Sequence, residues 1–236
     1  MEQSDHQEYV RQPKNKLALF ASYTVIILIN VTLSAVILFV SAGQINWLAG
    51  WVYLLSYLIY MLVVSSYTIH RTKNVPTINK APLWERFLDQ GYLLIHPLIL
   101  VLAGLEFRLF QQPSTLLIFF QIGAFALMLI AFALMGWAQA VNPYYGYPVN
   151  AIDQTDQEFI SMGPYEFSRH PGYAGMALLA IARPVVLGSY WGLLPGLVGF
   201  VMVIIRTFLE DKALLANPKY HNYAAKVRYR LLEGVW

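Results

Sequence analysis

Three stretches of this chain, Leu17 to Val40, Trp47 to Ile69 and Leu116 to Val141, contain no Asp, Glu, Lys or Arg. Each exceeds the roughly 20 apolar residues that cross about 30 Å of hydrocarbon. Inside a bilayer every backbone N–H and C=O must bond within its own segment, so such runs fold as helices. Phe87 to Leu105 is a fourth, weaker span, with Asp89 near its start and Pro97 expected to kink it. Tyr173 to Ile205 is too long for one crossing and is broken by Arg183-Pro184, Gly188 and Pro195-Gly196. It reads as a hairpin of two helices, near 172–187 and 190–212. Gly188, Gly192 and Gly196, spaced four apart, serve either a close helix approach or a turn. Composition agrees, with 58% hydrophobic and 12% charged residues against about 25% charged in ordinary soluble domains. No cysteine is present, which removes disulfide scaffolds, thiolate metal sites and catalytic thiols, and no other metal site is expected. The expected fold is all-α, a polytopic integral membrane protein with about six transmembrane helices and a C-terminal helical hairpin. Residues 1–115 hold spans 1 to 3, and residues 116–236 hold span 4, a polar loop, the hairpin and an interfacial C-terminal helix.

The basic residues set orientation. Arg11, Lys14 and Lys16 precede the first span, Arg71, Lys73, Lys80 and Arg86 follow the second, and Lys212, Lys219, Lys226, Arg228 and Arg230 follow the last. The other side carries Arg108, with Arg183 assigned to neither side. Both termini are therefore expected in the cytoplasm. Leu17 to Val40 is too long for the apolar region of a cleaved signal peptide. The net charge of +3 belongs to residues flanking spans, where anionic lipid attracts them, and calls for no nucleic acid.

Polar chemistry concentrates in the second half. His96, within the Pro97 span, reads as a helix-packing hydrogen bond, since no second ionisable residue lies one turn away. The run from Asn142 to Pro171 is long for a plain connection, and long ordered loops carry function. It ends in Gly163-Pro164-Tyr165-Glu166-Phe167-Ser168-Arg169-His170-Pro171-Gly172-Tyr173-Ala174-Gly175. Gly-Pro starts a turn, and Pro171 suits the first position of a helix whose free N–H groups attract an anion. An interfacial Arg-His pair facing lipid headgroups is the plainer alternative. Arg206 and Glu210, four apart, share one helical face near the end of the last span. Arg206 is either a buried, paired guanidinium suited to a carboxylate or an arginine snorkelling to the interface. Beyond Asp211 the chain is amphipathic, with Asn217-Pro218 marking a break, and suits either an interfacial helix or the roof of a pocket.

Arg169-His170-Pro171-x-Tyr173-x-Gly175, then Arg206-x-x-x-Glu210-Asp211, then Tyr223 and Arg228-Tyr229-Arg230-Leu231-Leu232, resembles the isoprenylcysteine carboxyl methyltransferase family, in a wider set that includes membrane phospholipid methyltransferases. The resemblance covers about Asn142 to Trp236. It implies a cytoplasmic pocket for S-adenosylmethionine (SAM) and a lipophilic or lipidated methyl acceptor reached from membrane lipid. Matching positions place cofactor contacts at Tyr165, His170, Pro171, Gly172, Tyr173 and Glu210, with Gln157 to Ile160 aligned by spacing. The family's substrate-contacting arginine falls on Arg206, so Arg206 and Glu210 are the expected catalytic residues. A carboxylate acceptor is ionised at neutral pH and needs no general base. Asp211 stands where many relatives have a second glutamate, and Glu233 where proline is usual. Two other classes fit parts of the pattern: an NADPH-dependent membrane reductase of sterols or related lipids, which shares an Arg-His-x-x-Tyr element, and a non-catalytic membrane binding protein. Arg206-x-x-x-Glu210-Asp211 after the hairpin favours the methyltransferase.

Overall fold

The computed structural model of the protein describes residues 16–71, 81–110, 115–146 and 159–236. Helices α1 (Lys16–Ala42), α2 (Leu48–Arg71), α3 (Leu83–Phe110) and α4 (Thr115–Val141) come first. A short 3-10 turn (Gly163–Glu166) precedes α5 (Pro171–Val186), α6 (Leu193–Leu214) and α7 (Pro218–Lys226). Among the described residues no strand occurs. Helices α1 to α4 and α6 are long and apolar enough to cross a bilayer. Their outer faces expose Leu28, Ile29, Leu55, Phe119, Ile122 and Val201, as lipid-facing surfaces do. These five helices make the chain an integral membrane protein.

The sixth helix of the expected bundle is different. α5 has 16 residues, a rise of about 24 Å, and so falls short of the five long spans. It lies inside the bundle, between α4 and α6, and most of its residues are buried. Small side chains make this possible. A Cβ on Gly175 would lie 2.8 Å from the Ala131 carbonyl oxygen of α4, and one on Gly196 of α6 would lie 2.6 Å from the Ala180 oxygen. Backbones therefore meet directly on both sides of α5. Pro184 does not break α5 where a break was expected; it occupies the last turn. Lacking an N–H, it frees the Ala180 carbonyl, the group that Gly196 approaches. Gly188, at φ +70°, reverses the chain. The glycine series thus serves a turn at one end and close packing at the other.

That turn is held from α3. The buried Glu106 carboxylate accepts from Ser189 Oγ at 2.7 Å and from the backbone N–H groups of Tyr190 at 3.2 Å and Trp191 at 2.9 Å. α3 continues through Pro97. His96 Nε2 lies 3.1 Å from the Tyr53 hydroxyl and 3.4 Å from Ser34 Oγ, which ties α3 to α1 and α2. The C-terminal segment departs from the expected interfacial helix. α7 lasts nine residues, capped by Asn217, whose Oδ1 accepts from Lys219 N at 2.9 Å. From Val227 the backbone pairs with the loop before α5 instead: Arg169 N donates to Tyr229 O at 3.0 Å and His170 N to Arg230 O at 2.9 Å. Those bonds replace the helical ones and draw the chain end over residues 168–170.

Candidate active site

At the bundle end formed by the 3-10 turn, the starts of α3 and α5, the end of α6, and α7, side chains line a cavity of about 260 Å³. Ile160, Tyr165, His170, Gly172, Tyr173, Arg206 and Glu210, all expected from the sequence, line it together. Pro171 does not; it starts α5 and is fully buried. Gln157 lies outside the described residues.

Local structure explains the convergence. Gly163, at φ +60°, and Pro164 open the 3-10 turn, and the Glu166 carboxylate accepts from Gly163 N at 3.1 Å. The turn buries Tyr165, whose hydroxyl accepts from Asn142 Nδ2 at 3.1 Å. Burial pushes the Tyr165 phenol up to about 12, against which the Asn142 bond acts. His170 is the residue before α5, so its side chain stands at the helix mouth. Gly172 permits contact with the ring of Tyr145: a Cβ there would lie 2.4 Å from Tyr145 Cε2.

Tyr173 and Glu210 form the centre. The Tyr173 hydroxyl donates to Glu210 Oε2 at 2.6 Å and accepts from Arg206 Nε at 2.6 Å. The His170 and Tyr173 rings stack with centroids 5.8 Å apart, and His170 Nδ1 lies 3.8 Å from Glu210 Oε1. Arg206 does not snorkel. Its Nη2 donates to Glu85 Oε1 at 3.1 Å, its Nη1 donates to Asp89 Oδ1, and Glu210 Oε2 lies 3.8 Å from Nε. Glu85 is buried while the Asp89 side chain is 52% exposed. Three carboxylates thus gather around one guanidinium, and this side of the cavity is acidic.

The opposite side is organised by Asp211, which is fully buried. Arg169 Nη2 donates to its Oδ2 at 3.0 Å, Arg230 Nε to Oδ2 at 2.8 Å and Tyr220 Oη to Oδ1 at 2.8 Å. Tyr223 Oη donates to Tyr165 O at 2.8 Å, which joins α7 to the turn. Burial raises the phenols of Tyr145, Tyr220 and Tyr223 as well, so each remains a neutral hydroxyl.

Residues 118–220 match the profile of the phospholipid methyltransferase family. The matched segment runs from α4 into α7, under half of the chain, and contains every expected site residue. No curated protein matches the chain. The match and the five long apolar helices together support an integral-membrane methyltransferase.

Sequence reasoning missed Glu85, Asp89, Tyr145 and the central place of Asp211. Glu85 and Asp89 come from α3, outside the matched segment. A signal for them existed: two carboxylates four residues apart, on one face at the start of a membrane helix, require a cation.

Proposed function

We propose that the protein is a SAM-dependent methyltransferase acting on a lipophilic acceptor, with Tyr165, His170, Gly172, Tyr173 and Glu210 forming the cofactor side of the cavity. The observation that carries this reading is the Glu210 carboxylate, steadied by Tyr173 at 2.6 Å, at the wall of a cavity lined by aromatic rings. A cofactor with a sulfonium and an ammonium group, an adenine ring and a carboxylate suits a site with an acidic side, flat faces at Tyr165, Tyr220 and Tyr223, and the Arg169 guanidinium. When bound, SAM supplies a methyl group on a sulfonium, transferred by in-line displacement that leaves a neutral thioether. Glu210 holds positive charge beside the transfer, and the buried rings exclude water, which strengthens that attraction.

Arg206 marks the acceptor side. A carboxylate acceptor, as the isoprenylcysteine resemblance implies, would take the place of Asp89, the half-exposed partner of Arg206. The excess of carboxylates favours a second reading, an amine acceptor: Asp89 then stays on Arg206 and receives the proton that the amine releases on methylation. The cluster of Lys212, Lys219, Lys226, Arg228 and Arg230 after the last span supports a site at the cytoplasmic face.

Calorimetry on detergent-purified protein tests the cofactor: saturable SAM binding, weakened by His170→Ala and by Glu210→Ala in folded protein, supports the proposal, and NADPH binding without SAM binding refutes it. Methyl-labelled SAM incubated with lipid extracts finds the acceptor. Asp89→Asn separates the two readings, since it maintains or raises turnover of a carboxylate and suppresses turnover of an amine.

A further inference from the structure

We infer that Asp211 is a positioning residue which, with Tyr220, holds His170 as the tautomer protonated on Nε2, so that a bare Nδ1 faces the cavity as a hydrogen-bond acceptor. Two guanidiniums face Asp211: Arg169 donates to it from Nη2 at 3.0 Å and forms an ion pair with it, and Arg230 donates from Nε at 2.8 Å. A carboxylate so placed is ionised and accepts only. The Tyr220 hydroxyl has one proton and two candidate acceptors, Asp211 Oδ1 at 2.8 Å and His170 Nε2 at 3.2 Å. The shorter, charge-assisted contact takes it. The Tyr220 oxygen then turns a lone pair toward Nε2, and Asp211 Oδ1 lies 3.4 Å from the same nitrogen. Both neighbours of Nε2 are acceptors, so Nε2 carries the proton. In the neutral ring Nδ1 is then bare.

Nδ1 lies 3.8 Å from Glu210 Oε1, and both His170 and Glu210 line the cavity. Two acceptors side by side exclude an anion and call for a donor between them: an ammonium or hydroxyl of the ligand. That the ligand is SAM rests on the methyltransferase reading; the tautomer does not. The same arrangement recruits the chain end, because Arg230 both neutralises Asp211 and accepts from the His170 backbone N–H on its carbonyl at 2.9 Å. Asp211 itself does not line the cavity and acts through His170.

Nitrogen-15 NMR of histidine-labelled protein in micelles, without ligand and at mildly alkaline pH where an ordinary imidazole is neutral, reads the tautomer; His170→Gln assigns the signal. A protonated Nε2 with a bare Nδ1 is expected. A protonated Nδ1, or both nitrogens protonated, overturns the inference. Tyr220→Phe should keep the tautomer, since Asp211 still faces Nε2; a flip in that variant overturns Asp211 as the controlling acceptor. Asp211→Asn, wherever it folds, should lose the single tautomer and weaken SAM binding by about tenfold or more, the loss of one well-placed hydrogen bond. An unchanged imidazole spectrum in folded Asp211→Asn overturns the inference. The expected spectrum with no SAM binding at all instead refutes the methyltransferase reading and leaves the positioning role intact.

Discussion

Replacing Arg206 with methionine tests whether that guanidinium is a buried tie between helices or a solvated end group. The side chain joins α6 to the Glu85 carboxylate and the Asp89 carboxylate of α3, and to the Tyr173 hydroxyl of α5. The Glu85 side chain is 2% exposed and that of Arg206 11%, so solvent screens this pair little. Removing the cation leaves the buried Glu85 carboxylate without this guanidinium, and breaking a buried pair on one side costs about 3–5 kcal/mol. An exposed ion pair contributes at most about 1 kcal/mol. Equilibrium unfolding in mixed micelles distinguishes these magnitudes. Glu85→Gln in the Arg206→Met background should recover much of the loss, with a coupling of about 2 kcal/mol in the double-mutant cycle. Asp89→Asn should cost less than about 1 kcal/mol, because half of its side chain is in solvent. A loss below about 1 kcal/mol for Arg206→Met, with coupling inside about 0.5 kcal/mol, would refute the buried tie.

Gly175→Ala should destabilise by about 1–3 kcal/mol, since its Cβ meets the immovable Ala131 carbonyl at 2.8 Å. Gly123→Ala, with open space around it, should be neutral or gain about 0.5–1 kcal/mol, and equal losses at both sites in thermal melts would contradict the packing account. Glu106→Ala should cost about 1–3 kcal/mol by orphaning the turn N–H groups while calorimetric SAM affinity holds, because the turn is at the far end of the bundle. Between pH 10 and 12 the folded Tyr165 keeps a proton that the unfolded chain releases, so stability is full below pH 10 and falls as pH rises through that window, by on the order of 2 kcal/mol. Unfolding followed against pH should lose part of this slope in Tyr165→Phe; an unchanged slope refutes it.

The helical membrane architecture was legible because it depends on runs of uncharged residues, a local property that the bilayer reads directly. The motifs were legible as well: His170 and Tyr173 sit at short offsets from a Gly-Pro turn and a helix start, and Glu210 lies one turn after Arg206, but it is the packing of α5 against α6 that makes them line one cavity. The hairpin was legible too, expected near 172–187 and 190–212 and found at Pro171–Val186 and Leu193–Leu214, but the burial of its short first helix between α4 and α6 was not.

The partners of those motifs were decided only in three dimensions. Arg206 shows one helical neighbour in the sequence, Glu210, yet its closest carboxylates come from α3, more than a hundred residues earlier. Asp211 shows nothing beyond its place after Glu210, and becomes a hub because the chain end folds back to bring Arg230 and Tyr220 onto it. Hydrophobic runs and caps act within a few residues and can be read along the chain. Ion pairs between helices depend on which faces the packing of small residues at Gly175 and Gly196 brings together, and that is a property of the assembled bundle.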